Sequence, residues 1–474
     1  MVILTAAAFS QFRTALPCKV VTPEAASDYE ACKIAAWSQT CWTPAAGYIQ
    51  VKSTQELAEA LGAIKKTGIK FAVRTTGHNP NPGFSSVDET AVVVDIRQLQ
   101  SRDLTSDGIA QVGPGNTWGE VYAWLEEQKL SAIGGRDQQV GLGGFLLGGG
   151  MGALPNLYGL GADGIKNFEA RVQVMLADGK LVNANAKENT DLWRALKGGG
   201  SNFGIVTRFD LETHPLIKVQ YTINLYNPDD YVEIIKATIK VQDEMEKDPK
   251  IGLFTNFNQG YVAVGMLYGD TPAEGPQAFE PFHNLTSLLN IACPSKNGTL
   301  LSLAKTMGHA QEPKKRAIRT ATTKVSQDLY EDVYMTWKDA AKNLPADCVL
   351  HYTIQPLGTA GVQAGKDRGE SIMGLESVPQ CWWVFTCEWP NDGCDDEAAQ
   401  QALDTMAEGV HAAAKKRGLL LDFLCMSFAT ASQKVLGSYG PDNVKRMEAV
   451  AAKYDPEGVF QKLQNSGFLL RNSI

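Results

Sequence analysis

No apolar run in this chain approaches the ~20 residues that a membrane-spanning helix needs. Basic residues do not outnumber acidic ones. The formal net charge of -8 argues against nucleic acid or an anionic membrane as the main partner. The nine cysteines are scattered, odd in number and free of CxxC spacing, so the expectation is reduced thiols in a cytoplasmic protein. No GxxxxGK[ST] occurs, which excludes a P-loop. The literal GxGxxG at Gly159, Gly161 and Gly164 follows Pro155-Asn156 rather than an apolar strand, so it lacks the context of a dinucleotide fingerprint. The opening stretch MVILTAAAFSQF has neither a basic n-region nor a clear cleavage site, and no signal peptide is expected. Internal repeats and low-complexity tracts are absent as well. With 44% hydrophobic and 20% charged residues, what remains is an ordinary globular balance; 474 residues are ample for a large core.

What the chain does have is glycine in one place. Residues 140–152 read VGLGGFLLGGGMG, with seven glycines separated only by apolar residues. Flexible linkers are polar, whereas Val140, Leu142, Phe145, Leu146, Leu147 and Met151 want burial. Glycine also serves where backbone passes close to another group. The stretch therefore predicts a buried wall pressed against a flat ligand, faced by the loop VRTTGH at residues 73–78.

The surrounding pattern places that loop. Residues 48–51 alternate like a strand. Ser53-Thr-Gln-Glu56 is a capping box opening an amphipathic helix, with Leu57, Leu61 and Ile64 on one face and Gly68 at its end. Residues 70–74 form the next strand, so a β-α-β unit delivers VRTTGH to a strand end, where open sheets commonly bind ligands. Thr117-Trp-Gly-Glu120 is a second capping box, Asp178-Gly179 a hairpin signal, and His214-Pro215 a boundary. Strands at 219–226, 252–257, 261–268, 348–355 and 380–389 then alternate with helices at 231–247, 326–344 and 395–416. That reads as an α+β region with an antiparallel sheet.

Five motifs follow in order: VRTTGHNPNPGF, GGRDQQVGLGGFLLGGG, YGLGADGI, DLWRALKGGGSNFGIVTRFDLETHP and KYDPEGVF. Together they resemble berberine-bridge-enzyme-like oxidases, a branch of the vanillyl-alcohol-oxidase flavoproteins. The resemblance covers residues 43–217 strongly and 420–470 well. It implies an α+β, PCMH-type two-domain FAD-binding fold: an arm (1–42), an FAD-binding domain (43–217), a substrate domain on an antiparallel sheet (218–418), and a C-terminal segment (419–474) returning to the first domain. It also implies FAD bonded covalently through His78. Arg74, Thr75, Thr76, Gly77, Asn79, Asp137, Val140, Gly141, Gly143, Gly144, Gly204, Val206 and Phe428 would line the cofactor, with no metal. The function implied is an oxidase of a hydrophobic secondary metabolite, passing hydride to flavin N5 with reoxidation by molecular oxygen to peroxide. The alternative is a flavin-retaining isomerase or cyclase.

Three departures from the family pattern matter. Thr75 and Thr76 occupy sites that are often small, and β-branched residues tolerate φ > 0 poorly. Asp137 stands where many relatives carry a cysteine that makes a second flavin bond, so one tether is expected. Phe428 stands where relatives tend to have a tyrosine used for proton handling. A substitute acid or base is then needed. Tyr352 and Asp137 are the first choices, with His351 and Glu388 also conceivable. Of the pair Trp382-Trp383, one is expected to roof a substrate pocket.

Overall fold

The computed structural model describes residues 9, 13–14, 16, 19–171, 181–308, 312–342, 344–391 and 396–474. Its first half is built on two small sheets. β1 (Lys19–Val21), β2 (Gly47–Gln50), β3 (Lys70–Arg74) and β4 (Ala91–Asp95) form one, in the order β1-β2-β4-β3, with β2, β4 and β3 parallel. After α1 (Ala26–Lys33), the helix α2 (Thr54–Thr67) makes the crossover from β2 to β3. Ser53 Oγ accepts the Glu56 N–H at 3.1 Å, and Gly68 ends the helix at φ 71°, as the sequence pattern requires. Leu57, Leu61 and Ile64 are buried beneath it. Glu56 accepts from the Lys52 N–H rather than from Ser53, so that capping box is only half formed. The box at Thr117 is complete and opens α3 (Trp118–Glu127).

The second sheet has five strands: β5 (Arg102–Leu104), β6 (Ala110–Val112), β7 (Ile165–Arg171), β8 (Leu181–Asn185) and β9 (Ile205–Leu211), in the order β5-β6-β9-β7-β8. The Asp178-Gly179 turn lies outside the described residues. Between the two sheets the glycine-rich stretch folds as a short helix, α4 (Leu142–Leu147), followed by glycines at positive φ, Gly149 at 99° and Gly150 at 79°.

The second half is one antiparallel sheet of eight strands. They are β10 (Lys218–Tyr226), β11 (Ile251–Asn258), β12 (Tyr261–Tyr268), β13 (Leu288–Thr299), β14 (Lys315–Lys324), β15 (Val349–Leu357), β16 (Gln380–Trp389) and β17 (Leu420–Leu421), in the order β13-β10-β12-β11-β15-β16-β14-β17. The sequence reading missed β13 and β14. β13 is an edge strand with ten of its twelve residues exposed or half-buried, so it carries no hydrophobic alternation to read. The helices α5 (Tyr231–Met245), α6 (Gln327–Ala341) and α7 (Asp396–Lys416) cover one face of this sheet. The other face looks toward α4 and the first half. Past β17 the chain reaches back to the first half: the Asn465 N–H donates to the Phe71 carbonyl at 2.6 Å, and Asn202 Nδ2 to the Phe468 carbonyl at 2.8 Å.

Cys348 is disulfide-bonded, which corrects the expectation of reduced thiols throughout. Cys32, Cys41, Cys293, Cys381, Cys387 and Cys425 are free and buried. Among the described residues no helix is long and apolar enough to cross a membrane.

Candidate functional site

The loop at the end of β3 and the glycine wall meet. A Cβ added at Gly141 would lie 2.0 Å from Thr76 Oγ1, and one at Gly143 would lie 3.0 Å from Thr75 Cγ2. Only glycine lets these backbones come this close. Within the loop only Gly77 takes positive φ, at 76°. Thr75 and Thr76 therefore carry no strain from their branched side chains. The amides of Thr75, Thr76 and Gly77 donate no hydrogen bond among the described residues. Three successive amides without partners are the kind of donor group that suits an anion such as phosphate. Gly144 is exposed within α4, and a Cβ there would meet nothing within 4 Å. Such donors beside a bare glycine face suit a phosphate-bearing, planar ligand such as FAD. Two buried polar atoms nearby, Asn116 Oδ1 and Trp37 Nε1, lack partners among the described residues.

Arg74 is held from inside the fold. Its guanidinium is fully buried, donating to the Ser85 carbonyl at 2.8 Å and the Cys32 carbonyl at 2.5 Å. It anchors the loop from behind, and its Nη2 has no partner among the described residues. Asn79 Oδ1 accepts the Asn81 N–H at 2.8 Å, tightening the turn after His78. Gly204 and Val206 are buried where β9 begins.

His78 is half-buried, and its ring stacks on Trp37 with centroids 4.3 Å apart and planes 12° apart. The Arg316 guanidinium lies 4.4 Å from the same indole centroid. Two planar groups cannot share one ring face at these distances, so Trp37 is held between imidazole and guanidinium. Arg316 also donates to the Trp37 carbonyl at 2.8 Å and to Glu388 at 2.6 Å. The arm is fastened here by the Gln39 N–H on the Lys314 carbonyl and by the Arg316 N–H on Ser38 Oγ, each at 2.9 Å. The sequence predicts an irregular arm over 1–42 with a helical piece near 25–37, which the structure has at Ala26–Lys33, but nothing local reveals the role of Trp37.

Strand alternation sorts the remaining candidates. On β15, Leu350, Tyr352 and Ile354 belong to the helix-covered core, which sends His351, Thr353 and Gln355 to the inner face. On β16, Cys381, Trp383, Phe385 and Cys387 are on the covered side, while Trp382 joins the core shared with α4. Tyr352 is therefore on the wrong side of the sheet for the role expected of it. It stacks on Phe257 at 4.8 Å, its hydroxyl has no partner among the described residues, and burial drives its pKa well above the usual phenol value. Trp382 is the tryptophan that faces inward, packed on Phe423 at 4.8 Å.

Asp137 is buried, and its carboxylate accepts the Gln139 N–H at 2.8 Å in a local turn. Glu388 and His351 are half-buried at the Arg316 end of the inner face. Burial works to raise the Glu388 pKa, but the charges of His351 and Arg316 outweigh it, and the carboxyl is held below its ordinary range. Asn256 Nδ2 lies 3.3 Å from the Tyr352 carbonyl, 2.9 Å from Thr353 Oγ1 and 3.0 Å from His351 Nδ1. Facing these from the C-terminal segment is half-buried Phe428, with Ser427 against Gly148. A surface groove of about 370 Å3 lined by Thr105, Asp107, Lys166 and Asp210 contains none of these residues.

Residues 45–185 match an FAD binding domain. An FAD-dependent monooxygenase of Arthrobotrys oligospora is 37% identical over 445 residues, 94% of this chain and 86% of that protein. One from Penicillium terrestre is 32% identical over 446 residues, 93% and 84% respectively. Among solved structures, a carbohydrate oxidase from Microdochium nivale superimposes with a TM-score of 0.81 at 20% identity, covering 98% of this chain and all of that one. The 6-hydroxy-D-nicotine oxidase of Arthrobacter nicotinovorans does so at 0.80 and 18%, covering 95% and 98%.

Proposed function

Because the chain belongs to the berberine-bridge-enzyme-like branch of the PCMH-type flavoproteins and is an FAD-linked oxidoreductase, we propose that it oxidises a small apolar secondary metabolite, with FAD tethered through His78 and dioxygen as terminal oxidant. One observation carries the reading. The Thr75–Gly77 loop, whose amides donate no hydrogen bond among the described residues, packs on the glycine stretch at Gly141 and Gly143, and the polar face of the eight-stranded sheet turns toward the same half of the molecule.

Bound FAD supplies a two-electron acceptor that dioxygen can reoxidise. The chain's own residues do the remaining work. Trp37 braces the His78 imidazole for bonding, and Gly144 lets a flat ring approach the backbone. Asp137 cannot form the thioether that a cysteine there makes, so His78 is the sole tether. Trp382, packed on Phe423, shields the reacting carbon from water. The Glu388–His351 pair takes the substrate proton in place of a tyrosine at 428, since these are the inner-face strand groups able to accept one. Overall the substrate loses a proton and a hydride, and dioxygen gains two electrons and two protons as hydrogen peroxide.

The purified chain is expected to keep yellow flavin fluorescence on a denaturing gel, with His78→Ala losing it and the flavin-bearing peptide containing no cysteine. Turnover should release one peroxide per product. Label from 18O2 appearing in product without peroxide would support the monooxygenase chemistry for which the fungal relatives are named. Product forming anaerobically while the flavin stays oxidised would support an isomerase or cyclase.

A further inference from the structure

Arg136 is a cation without a counter-charge. It sits deep in the molecule at the mouth of the glycine wall, two residues after Gly134, and its backbone is fixed on both sides. A Cβ on Gly134 would lie 2.1 Å from the Trp118 ring, so the loop is pressed flat on that indole. Tyr122 donates to the Gly135 carbonyl at 2.9 Å, and the Gly119 N–H donates to the Gln138 carbonyl at 2.9 Å. The side chain crosses from this loop to the eight-stranded sheet and donates through Nη2 to Gln355 Oε1.

Gln355 is neutral, and no carboxylate pairs with Arg136 among the described residues. The titratable group that acts on its charge is Cys425, whose thiol burial pushes up to about 12, so it stays uncharged at neutral pH. Burial lowers the arginine itself to about 10, which still leaves it protonated. Asp137, next in sequence, turns its carboxylate into its own loop. The residue as a whole is half-buried. Burying a cation without a partner costs several kcal/mol. A loop braced this firmly holds that cost in place beside Gln355 on the inner face of the sheet.

We propose that Arg136 is the anion-recognition residue of the substrate site, so that the substrate is an apolar acid bearing a carboxylate or an acidic enol. The inference rests on the oxidase reading above. Its position favours substrate over cofactor. The guanidinium is tied to the eight-stranded sheet through Gln355, whereas the Thr75–Gly77 amides and Gly144 belong to the first half of the molecule. Gln355 aims the fork by accepting one N–H, which leaves the remaining donors for a planar anion. The Trp382 and Phe423 rings beside it supply apolar walls for the rest of the molecule.

The test titrates the flavin-loaded enzyme with benzoate and with benzamide, followed by flavin difference spectra and calorimetry. Wild type should bind benzoate more tightly than benzamide. Arg136→Met should weaken benzoate by roughly 10- to 100-fold while leaving benzamide unchanged, as expected for losing a charged hydrogen bond. Arg136→Lys should fall between the two. Removing an unpaired buried charge should leave Tm unchanged or raise it, so Arg136→Met is expected to fold. Equal affinity of wild type for acid and amide would overturn the inference. So would unchanged benzoate affinity in Arg136→Met together with weakened sulfite addition to the flavin, since the arginine would then serve the cofactor. A purified chain without flavin would instead sink the oxidase reading, which separates the two failures.

Discussion

The same strands build two faces of the eight-stranded sheet, and those faces have opposite character. Toward α5, α6 and α7 the strands present Phe257, Tyr352, Trp383 and Phe385, which pack ring on ring with Tyr330, Tyr334 and Trp337 of α6, all at most 5% exposed. Toward α4 they include Asn256, His351, Thr353 and Glu388, half-buried and hydrogen-bonded or charge-coupled to one another. His351 and Tyr352 are chain neighbours with unrelated environments. The difference teaches that chemical type alone does not nominate a base. The face does, because a strand turns each successive side chain through about 180°.

The largest expected effect comes from filling the glycine wall. Gly144→Leu adds a side chain where nothing lies within 4 Å, so the flavin-free protein should keep its Tm while FAD content drops to near zero, read by flavin absorbance per folded chain. Trp383→Ala acts on the covered face and should do the reverse. Truncating a fully buried aromatic costs about 3–5 kcal/mol, yet the surviving folded protein should carry its normal flavin. Equal loss of flavin in both variants would erase the contrast between the faces.

A smaller effect is expected from the inner face itself. Glu388→Gln should lower kcat by about 10²- to 10⁴-fold, the usual worth of a general base, with little change in flavin content. The pH dependence follows from the direction of the shift. The folded-state pKa of Glu388 lies below its unfolded value, so its ionised form, and the stability of its pair with Arg316, are fully present above the unfolded value. Both are lost as pH falls through the folded one. The acid limb of kcat should therefore lie below the ordinary glutamate range, and Arg316→Met should move it upward. An acid limb unmoved by that substitution would remove Glu388 from the proton path.

Much of this was legible in the sequence. The capping boxes at Ser53 and Thr117, the glycine wall, the VRTTGH loop and most strands of the second sheet follow from local chemistry, and the family motifs identified the FAD-binding fold. Side-chain orientation was harder. Tyr352 and His351 are equally plausible until pairing with β16 fixes the register, and that pairing sets His351 against Thr386 and Tyr352 against Phe385, 35 and 33 positions away in sequence. Trp37 and Arg316 are 279 positions apart and become one unit only through the folded arm. Arg136 lay within a quoted motif, but nothing local reveals that no carboxylate meets it.

The smallest effect is expected at Tyr352, and it tests the comparison most directly. Tyr352 was the first choice for a substitute base, yet its ring lies against Phe257 with planes 4° apart and its hydroxyl finds no partner among the described residues. Burial holds its pKa well above the usual phenol value, so it cannot accept a proton near neutrality. Tyr352→Phe keeps the ring and removes only an unsatisfied hydroxyl. Since a buried polar group without a partner is a cost to the fold, stability should be unchanged or rise by up to about 1 kcal/mol. The rate should stay within about twofold of wild type, far from the loss a general base would cause. Steady-state kinetics beside thermal melts would check both. A rate loss comparable to that of Glu388→Gln would mean that the covered face reaches the chemistry after all, and the division between the two faces would have to be abandoned.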